Sequence, residues 1–264
     1  VVPGYEDPHY VDALVDLAEP MAIDVMVPTL AEEMSVLSRS LDRLDDADIA
    51  TYLAAPAAVE RCIDKWQFAR ALDAATVPSP RTELGAAPEI DPPWVVKPRR
   101  GRGSRDVVVV DDPAELSGAL ARVPDPIVQE RLLGREFTVD ALVGRDGRVA
   151  GAVPRWRLET RGGISTKGVT FSDDAVARVI ADALGAVGLT GPANVQGFVA
   201  DDGRVAVTEV NPRFSGGLPL SLAAGADLVG EYLRMAMGQE PRAEALTHRD
   251  GVTMIRYFDE VFEG

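Results

Sequence analysis

The sequence predicts a mixed α+β and α/β fold, and three observations carry that prediction. Near the start, a helical stretch, a short apolar run and a second helical stretch follow one another over residues 10–41, read as a fragment of a βαβ-like unit. In the middle, residues 94–98 and 107–110 read as two strands joined by a loop of arginines and glycines. Towards the end, residues 194–200 and 205–211 flank Asp201-Asp202-Gly203 and read as a hairpin.

With 264 residues, 46% of them hydrophobic, the chain can bury a substantial core in one large domain or two to three small ones. The formal net charge of -15 argues against a nucleic-acid surface and an anionic membrane as partners. Any anionic ligand has to be held by a local basic cluster against that field. A single cysteine, Cys62, excludes an internal disulfide and a cysteine-based zinc site. His9 and His248 stand far apart without ligand-spaced neighbours, which argues against histidine metal sites and histidine-based triads. No apolar run approaches the ~18 residues of a membrane span, and no basic region precedes an apolar one at the start. The expected location is cytoplasmic.

The elements follow in order. Residues 10–19 form an amphipathic helix through Val11, Leu14, Val15 and Ala18, and residues 23–27 form a buried strand that stops at Pro28. Thr29 and Glu32 have capping-box spacing for the next helix, with Met34, Val36, Leu37 and Leu41 apolar. Too little chain precedes this fragment for a sheet of usual size, so a further strand and helix are expected before Val1. Residues 57–62 are helical, and Asp64 caps a helix over 65–75 whose Trp66 is expected in the core or at a domain joint. Residues 113–122 form a helix, and 127–130, 136–143 and 149–153 form strands. A polar loop is expected over 160–168, then a helix over 173–187 capped by Ser172 and closed by Gly188. Residues 218–224 and 227–237 are helical, and 252–257 return as a strand.

Three constellations carry chemistry. Glu209 and Asn211 share one face of a strand that Pro212 ends, and the hairpin brings Gln196 beside them. Three such oxygens, with Arg213 at the rim, suit a hard cation carrying phosphate, although the same residues would also serve a solvated edge hairpin. The second is basic: Lys97, Arg99, Arg100, Arg102 and Arg105, with no acid among them. Gly101 and Gly103 allow the backbone to approach a ligand closely. The loop is neither a P-loop nor a dinucleotide fingerprint, since GxxxxGK[ST] is absent and strand joins strand. Its alternative is a solvated hairpin tip. Third, Arg155 and Arg157 share a strand face and can hold a substrate carboxylate, the alternative being a surface ladder beside Glu159, with Lys167 a weaker candidate.

Lys65, the Lys97 loop, Gln129-Glu130 with Glu136, and the Gln196/Glu209/Asn211 hairpin occur in that order. In this the chain resembles the ATP-grasp superfamily over roughly residues 23–240, and within it the carbamoyl-phosphate synthase large-subunit branch, to which Gln196 is similar. The resemblance implies two α+β subdomains clamping ATP behind a partial small α/β domain, with expected boundaries at 1–56, 57–130 and 131–264. It implies that Lys65 and Lys97 hold ATP phosphates under Gly101, Gly103 and Ser104. Gln129, Glu130 and Leu132 then form the adenine hinge, and Glu136 bonds the ribose. It makes Gln196, Glu209 and Asn211 ligands for Mg²⁺, as two ions with Mn²⁺ an alternative. Lys97 and Arg213 become the catalytic cations, with Arg155, Arg157 and Ser215 towards the substrate.

The activity implied is an ADP-forming ligase that joins a small-molecule carboxylate to an amine or thiol through an acyl phosphate, with a homodimer compatible. Two alternatives stay open: a bicarbonate- or carbamate-phosphorylating enzyme, and an ATP-binding module without turnover. The synthases are far longer, and Gly217 and Leu218 stand where they carry a serine-rich run, which leaves the acceptor unassigned.

Overall fold

The computed structural model describes all residues except 86, 87, 102, 104, 258, 263 and 264. Helices α1 (Tyr10–Ala18), α2 (Ala31–Leu37) and α3 (Leu41–Asp45) open the chain. Helices α4 (Pro56–Ile63) and α5 (Lys65–Ala74) follow, then strands β1 (Thr82–Leu84), β2 (Trp94–Pro98) and β3 (Val108–Val110). Helix α6 (Leu116–Arg122) leads to β4 (Pro126–Glu130), β5 (Arg135–Val143), β6 (Val149–Arg161) and β7 (Ile164–Thr170). Then come α7 (Asp174–Val187), β8 (Gly191–Val199), β9 (Val205–Asn211), α8 (Leu218–Ala223), α9 (Leu228–Ala236) and β10 (Thr253–Ile255).

Two antiparallel sheets result, one ordered β1-β4-β2-β3 and the other β10-β7-β6-β5-β8-β9. Alternation along the larger sheet sorts its residues. Phe137, Val139, Ala141, Ala193, Val195 and Val207 face a core completed by Val176, Ile180, Ala183, Leu184 and Val187, which recur at helical spacing on α7. Helices α4 and α5 join this same core through Ala58, Val59, Cys62, Phe68 and Leu72. Of the stretch 57–130, therefore, only the part from β1 onward builds the smaller sheet, which has its own core around Trp94, Val96, Val110 and Leu116. The opposite face of the larger sheet is divided. Leu142 and Val153 pack on Leu228, Tyr232 and Met235 of α9 in a second apolar cluster, and the rest is polar, with Thr138 paired to both Gln196 and Arg155, and Gln196 paired to Glu209.

Several expectations are corrected. Residues 23–27 are not a sheet strand; they make one isolated parallel bridge, Val25 to Ala50, and Ile23 is exposed. A fragment without neighbouring strands has no ladder to join. The carboxylate at the start of α2 is Glu33, one residue beyond the expected Glu32, accepting from Thr29 and Leu30 N–H at 2.8 and 2.9 Å. The α7 cap is Asp173, which accepts from Ala175 and Val176 N–H, while the Ser172 hydroxyl donates to Asp250. Residues 160–168 are not a loop: β6 runs on to Arg161 and turns through Gly162 and Gly163 into β7. Polar composition hid two strands whose outer parts are exposed. Trp66 is half-buried rather than in the core; it lies beside Arg70 and shares a surface hollow with residues 76–83, which lead from α5 into β1.

Candidate functional site

The two sheets meet across a cleft of about 440 Å³. From the smaller sheet and its loops come Lys97, Gly101, Gly103, Arg105, Gln129, Glu130 and Leu132; from the larger come Glu136, Gln196 and Glu209, with Lys65 at the head of α5. Val95, Val107, Leu132 and Phe198 supply apolar wall. Ser104 lies outside the described residues.

Asp64 anchors the end of the cleft at Lys65. Its carboxylate caps α5 through Trp66 and Gln67 N–H and accepts from Arg99 Nε and Nη2 at 2.8 and 2.7 Å. Arg100 donates to Glu60 on α4. The base of the basic loop is thus tied to the start of α5, and Lys65 Nζ donates to the Gly101 carbonyl at 2.8 Å. Burial raises the Asp64 carboxyl, but Arg99 and the Gln67 contacts outweigh it and hold the group down at about 2. Lys97, only 8% exposed, is brought down to about 8 by burial; Glu209 opposes that fall and Lys65 adds to it.

The polar face carries linked pairs. Arg157 donates to Glu136 at 2.5 Å, to Gln196 Oε1 at 3.0 Å and to the Gly163 carbonyl at 2.9 Å. Burial raises the Glu136 carboxyl, opposed by Arg157, with Glu209 adding to the rise. Asn211 Nδ2 donates to Glu209 Oε1 at 2.8 Å. Arg155, 1% exposed, pairs with equally buried Asp140 at 2.9 Å and donates to Ser215 Oγ at 3.0 Å. Neither arginine forms the surface ladder with Glu159, which pairs with Lys167 at 2.6 Å instead. A Cβ at Gly217 would overlap the Arg155 guanidinium, so a side chain there would push Arg155 off Asp140 and Ser215.

Arg155, Arg157, Arg213 and Ser215 line a small polar pocket of about 80 Å³ that shares Gln196 with the cleft. A third space of about 1140 Å³ shares Glu209, Lys65 and Gly101 with the cleft, and Arg213, Ser215 and Gly216 with the small pocket. Asn211 opens on this larger space rather than on the cleft. At the end of β4, where the adenine hinge is expected, Glu130 N–H donates to the Arg81 carbonyl and Arg131 N–H to the Pro93 carbonyl, while the Gln129 side chain turns to Thr82 at 2.8 Å.

Sequence reasoning missed Asp140, Ser221, Thr138 and Asn194. Ser221 Oγ donates to Asp140 at 2.6 Å, and Asn194 Nδ2 donates to Thr138 Oγ1 at 2.6 Å. Polar residues at 136, 138 and 140, alternating with apolar ones, were the available signal.

The model of ATP-grasp proteins in the biosynthetic pathway with the Ter operon matches residues 122–260. The chain belongs to the ATP-grasp family. It is similar to the carbamoyl phosphate synthase large chain of Mycobacterium tuberculosis, 29% identical over 236 residues, covering 77% of this chain and 21% of that one. The chain spans less than half the length of the curated relatives it matches. Among solved structures, the Bacillus licheniformis L-amino acid ligase aligns with TM-score 0.74 and 19% identity, over 92% of this chain and 64% of that one. The biotin carboxylase domain of the Hydrogenobacter thermophilus 2-oxoglutarate carboxylase, solved with MgADP, ADP and bicarbonate, aligns with TM-score 0.76 and 17% identity, over 94% and 61%. These likenesses establish the ATP-grasp fold. No helix among the described residues is long and apolar enough to cross a membrane.

Proposed function

We propose that this ATP-grasp chain is an ATP-dependent, ADP-forming ligase that activates a carboxylate as its acyl phosphate and passes the acyl group to an amine or thiol. The observation that carries the reading is Glu209, a carboxylate at the junction of the cationic cleft and the larger cavity. A nucleotide lying in the cleft would place adenine among Val95, Val107, Leu132 and Phe198 and the ribose at Glu136. Its phosphates would lie at Lys65, Lys97, Gly101 and Gly103.

The donor set fits Mg²⁺. Glu209, Asn211 and Gln196 offer hard oxygens, and among the described residues no group of three His, Cys, Asp or Glu is placed to cage a metal by itself. Mg²⁺ takes few protein oxygens and completes its shell with phosphate and water. When bound, as one or two ions or with Mn²⁺ in substitution, it would neutralise charge on the transferring phosphoryl group. Asn211 bonds Glu209 through its amide nitrogen, which leaves its oxygen to be presented, whereas Gln196 has to share its oxygen with Arg157.

The acceptor carboxylate oxygen attacks the γ-phosphorus, and the bond to the bridging β,γ-oxygen breaks to release ADP. An amine then attacks the acyl carbon, the C–O bond to phosphate breaks, and the nitrogen loses its proton. Lys97 and Arg213 would stabilise the charge that moves in the first step, which needs positioning rather than a side-chain nucleophile. Arg157 and Arg213, with Ser215, would orient the carboxylate, and Arg155, held by Asp140, would fix Ser215. The same reading divides the chain into a small preceding segment, a lid built on the four-stranded sheet and a base built on the six-stranded sheet.

The similarity to carbamoyl phosphate synthase large chains supports a second reading, phosphorylation of bicarbonate or carbamate. Phosphate release from Mg-ATP over a panel of carboxylates and bicarbonate, with hydroxylamine to trap an acyl phosphate, separates the two. A hydroxamate with one carboxylate supports the ligase, and release with bicarbonate alone supports the second reading. No release despite tight nucleotide binding identifies a binding module. Glu209→Ala should lower turnover by about 10²–10³ while the protein stays folded, as loss of a charge-stabilising group does. Activity within tenfold of wild type removes the metal assignment.

A further inference from the structure

The larger cavity is more apolar than the cleft and the small pocket it adjoins. Its cations gather at the Glu209 junction, where Lys65, Arg100 and Arg213 contribute to its lining. Elsewhere the wall is largely apolar, through Val36 of α2, Ile63 of α4, Ile164 at the start of β7, Phe214, Leu218 of α8 and Val229 of α9, with Glu6, Glu32 and Ser35 as polar members on the side of α2. These residues come from six separate places in the chain, so the apolar lining is assembled by the fold rather than by one amphipathic face. At about 1140 Å³ the space exceeds what a bicarbonate or acetate ion fills, since a water's share of liquid volume is about 30 Å³. A small oxyanion there would leave apolar wall facing water. An occupant with apolar bulk would cover it.

We infer that the acceptor of this site is a carboxylate carrying a bulky, largely apolar body, with its carboxylate at the Lys65–Glu209–Arg213 junction and its body in the larger cavity. The inference rests on the ligase reading and narrows it. The cationic end would place the reacting group, and the apolar wall would select what is attached to it. Burying each further methylene should then raise kcat/KM by about fourfold until the cavity is filled.

The test measures ADP release and hydroxamate formation with Mg-ATP for bicarbonate, acetate, a straight-chain series from butanoate to decanoate, and 3-phenylpropanoate. It uses the wild type and the cavity-filling variants Val36→Trp and Leu218→Trp, neither of which belongs to the nucleotide or metal machinery. Mg-ATP affinity and melting temperature check that each variant is folded. The expected result is a kcat/KM that climbs with chain length in the wild type. Each tryptophan should cut that climb by tenfold or more for the long acids and leave acetate and Mg-ATP affinity unchanged. Equal use of short and long acids, a preference for bicarbonate, or a uniform loss across all acids overturns the inference while leaving ATP-dependent activation standing. Failure of every carboxylate to give hydroxamate or ADP removes the ligase reading, and this inference with it.

Discussion

Lys97 is an ammonium held where water is scarce, and that sets a pH dependence. Its pKa lies at about 8 against an ordinary lysine value of 10.5, because burial outweighs the attraction of Glu209. Between those values the unfolded chain holds a proton that the folded chain has lost. Stability therefore rises with pH across that window, and the charged form weakens the fold below it. A bound phosphate reverses the preference by favouring the ammonium. Nucleotide binding at pH 8 should take up about half a proton, read as a buffer-dependent enthalpy in titration calorimetry. Lys97→Arg should abolish that dependence, and a wild-type enthalpy independent of buffer would refute the assignment. Asp64 behaves oppositely. Its carboxyl sits at about 2, so the stability it contributes is present above pH 4 and disappears as pH falls towards 2. Asp64→Ala should cost about 1–2 kcal/mol by removing the α5 cap, seen as a lower denaturation midpoint. Lys97 and Glu209 could be picked out in the sequence because a charge beside a glycine loop or before Pro212 is visible as residue type, whereas Lys65 stands out only through the family resemblance. The Asp140–Arg155 pair could not, because its partners are 15 positions apart and its burial depends on α8 and Ser215 covering the sheet.

The β8–β9 hairpin shows how an element aims side chains. Register shifts after Gln196, so Gly197 pairs with Val207 and Thr208 is the extra residue of a bulge. The bulge resets the alternation: Val207 and Val210 both reach the core, while Glu209 and Asn211 both face the site. A Cβ on Gly197 would overlap the Ala206 carbonyl and the Phe137 ring, so glycine is what lets Phe137 pack beneath the bulge. Gly197→Val should destabilise the protein by about 1–3 kcal/mol through overpacking. It should also weaken Mg-dependent nucleotide binding more than metal-free binding, because Gln196 and Glu209 move with the hairpin. Equal weakening in both conditions would mean that the bulge serves packing alone. The hairpin was legible from its turn and alternation, but the bulge was not, since Thr208 is an ordinary strand residue. The strand expected at 23–27 failed for a related reason. Its apolar pattern satisfies strand periodicity, but a strand needs a neighbour, and the fold supplies only Ala50. The β6–β7 turn was read as a loop because Gly162 and Gly163 dominate the local composition.

At the scale of the whole molecule, the cleft is shared by two sheets that keep separate cores. The covalent link between β4 and β5 is short, residues 131–134. Gly134 there passes so close to the Val199 carbonyl that a side chain would overlap it. A ligand that contacts Lys97 and Leu132 on one side and Glu136, Gln196 and Glu209 on the other would tie the sheets together. Mg-ATP at about 100 times its Kd should then stabilise the native state by about 2.7 kcal/mol. In a chain of this size that corresponds to a rise in melting temperature of roughly 5–11 °C. Amide exchange locates the effect. Protection should increase on both sides of the cleft, at β2, β4 and the 99–105 loop as well as at β8 and β9, and should leave α1 unchanged. Protection confined to the six-stranded sheet would show that the nucleotide rests on one side without joining the other. Phosphate transfer would then lack Lys97, and the charge balance proposed for it would fail. The net charge of -15 sharpens this outcome, because an anionic nucleotide approaches an acidic molecule and is held only where the local cations converge. Raising ionic strength should screen the unfavourable long-range field while leaving the buried contacts of Lys97 less affected. The Mg-ATP affinity should accordingly fall less with salt than a surface-held polyanion would, and a steep loss between 50 and 200 mM salt would place the phosphates outside the cleft.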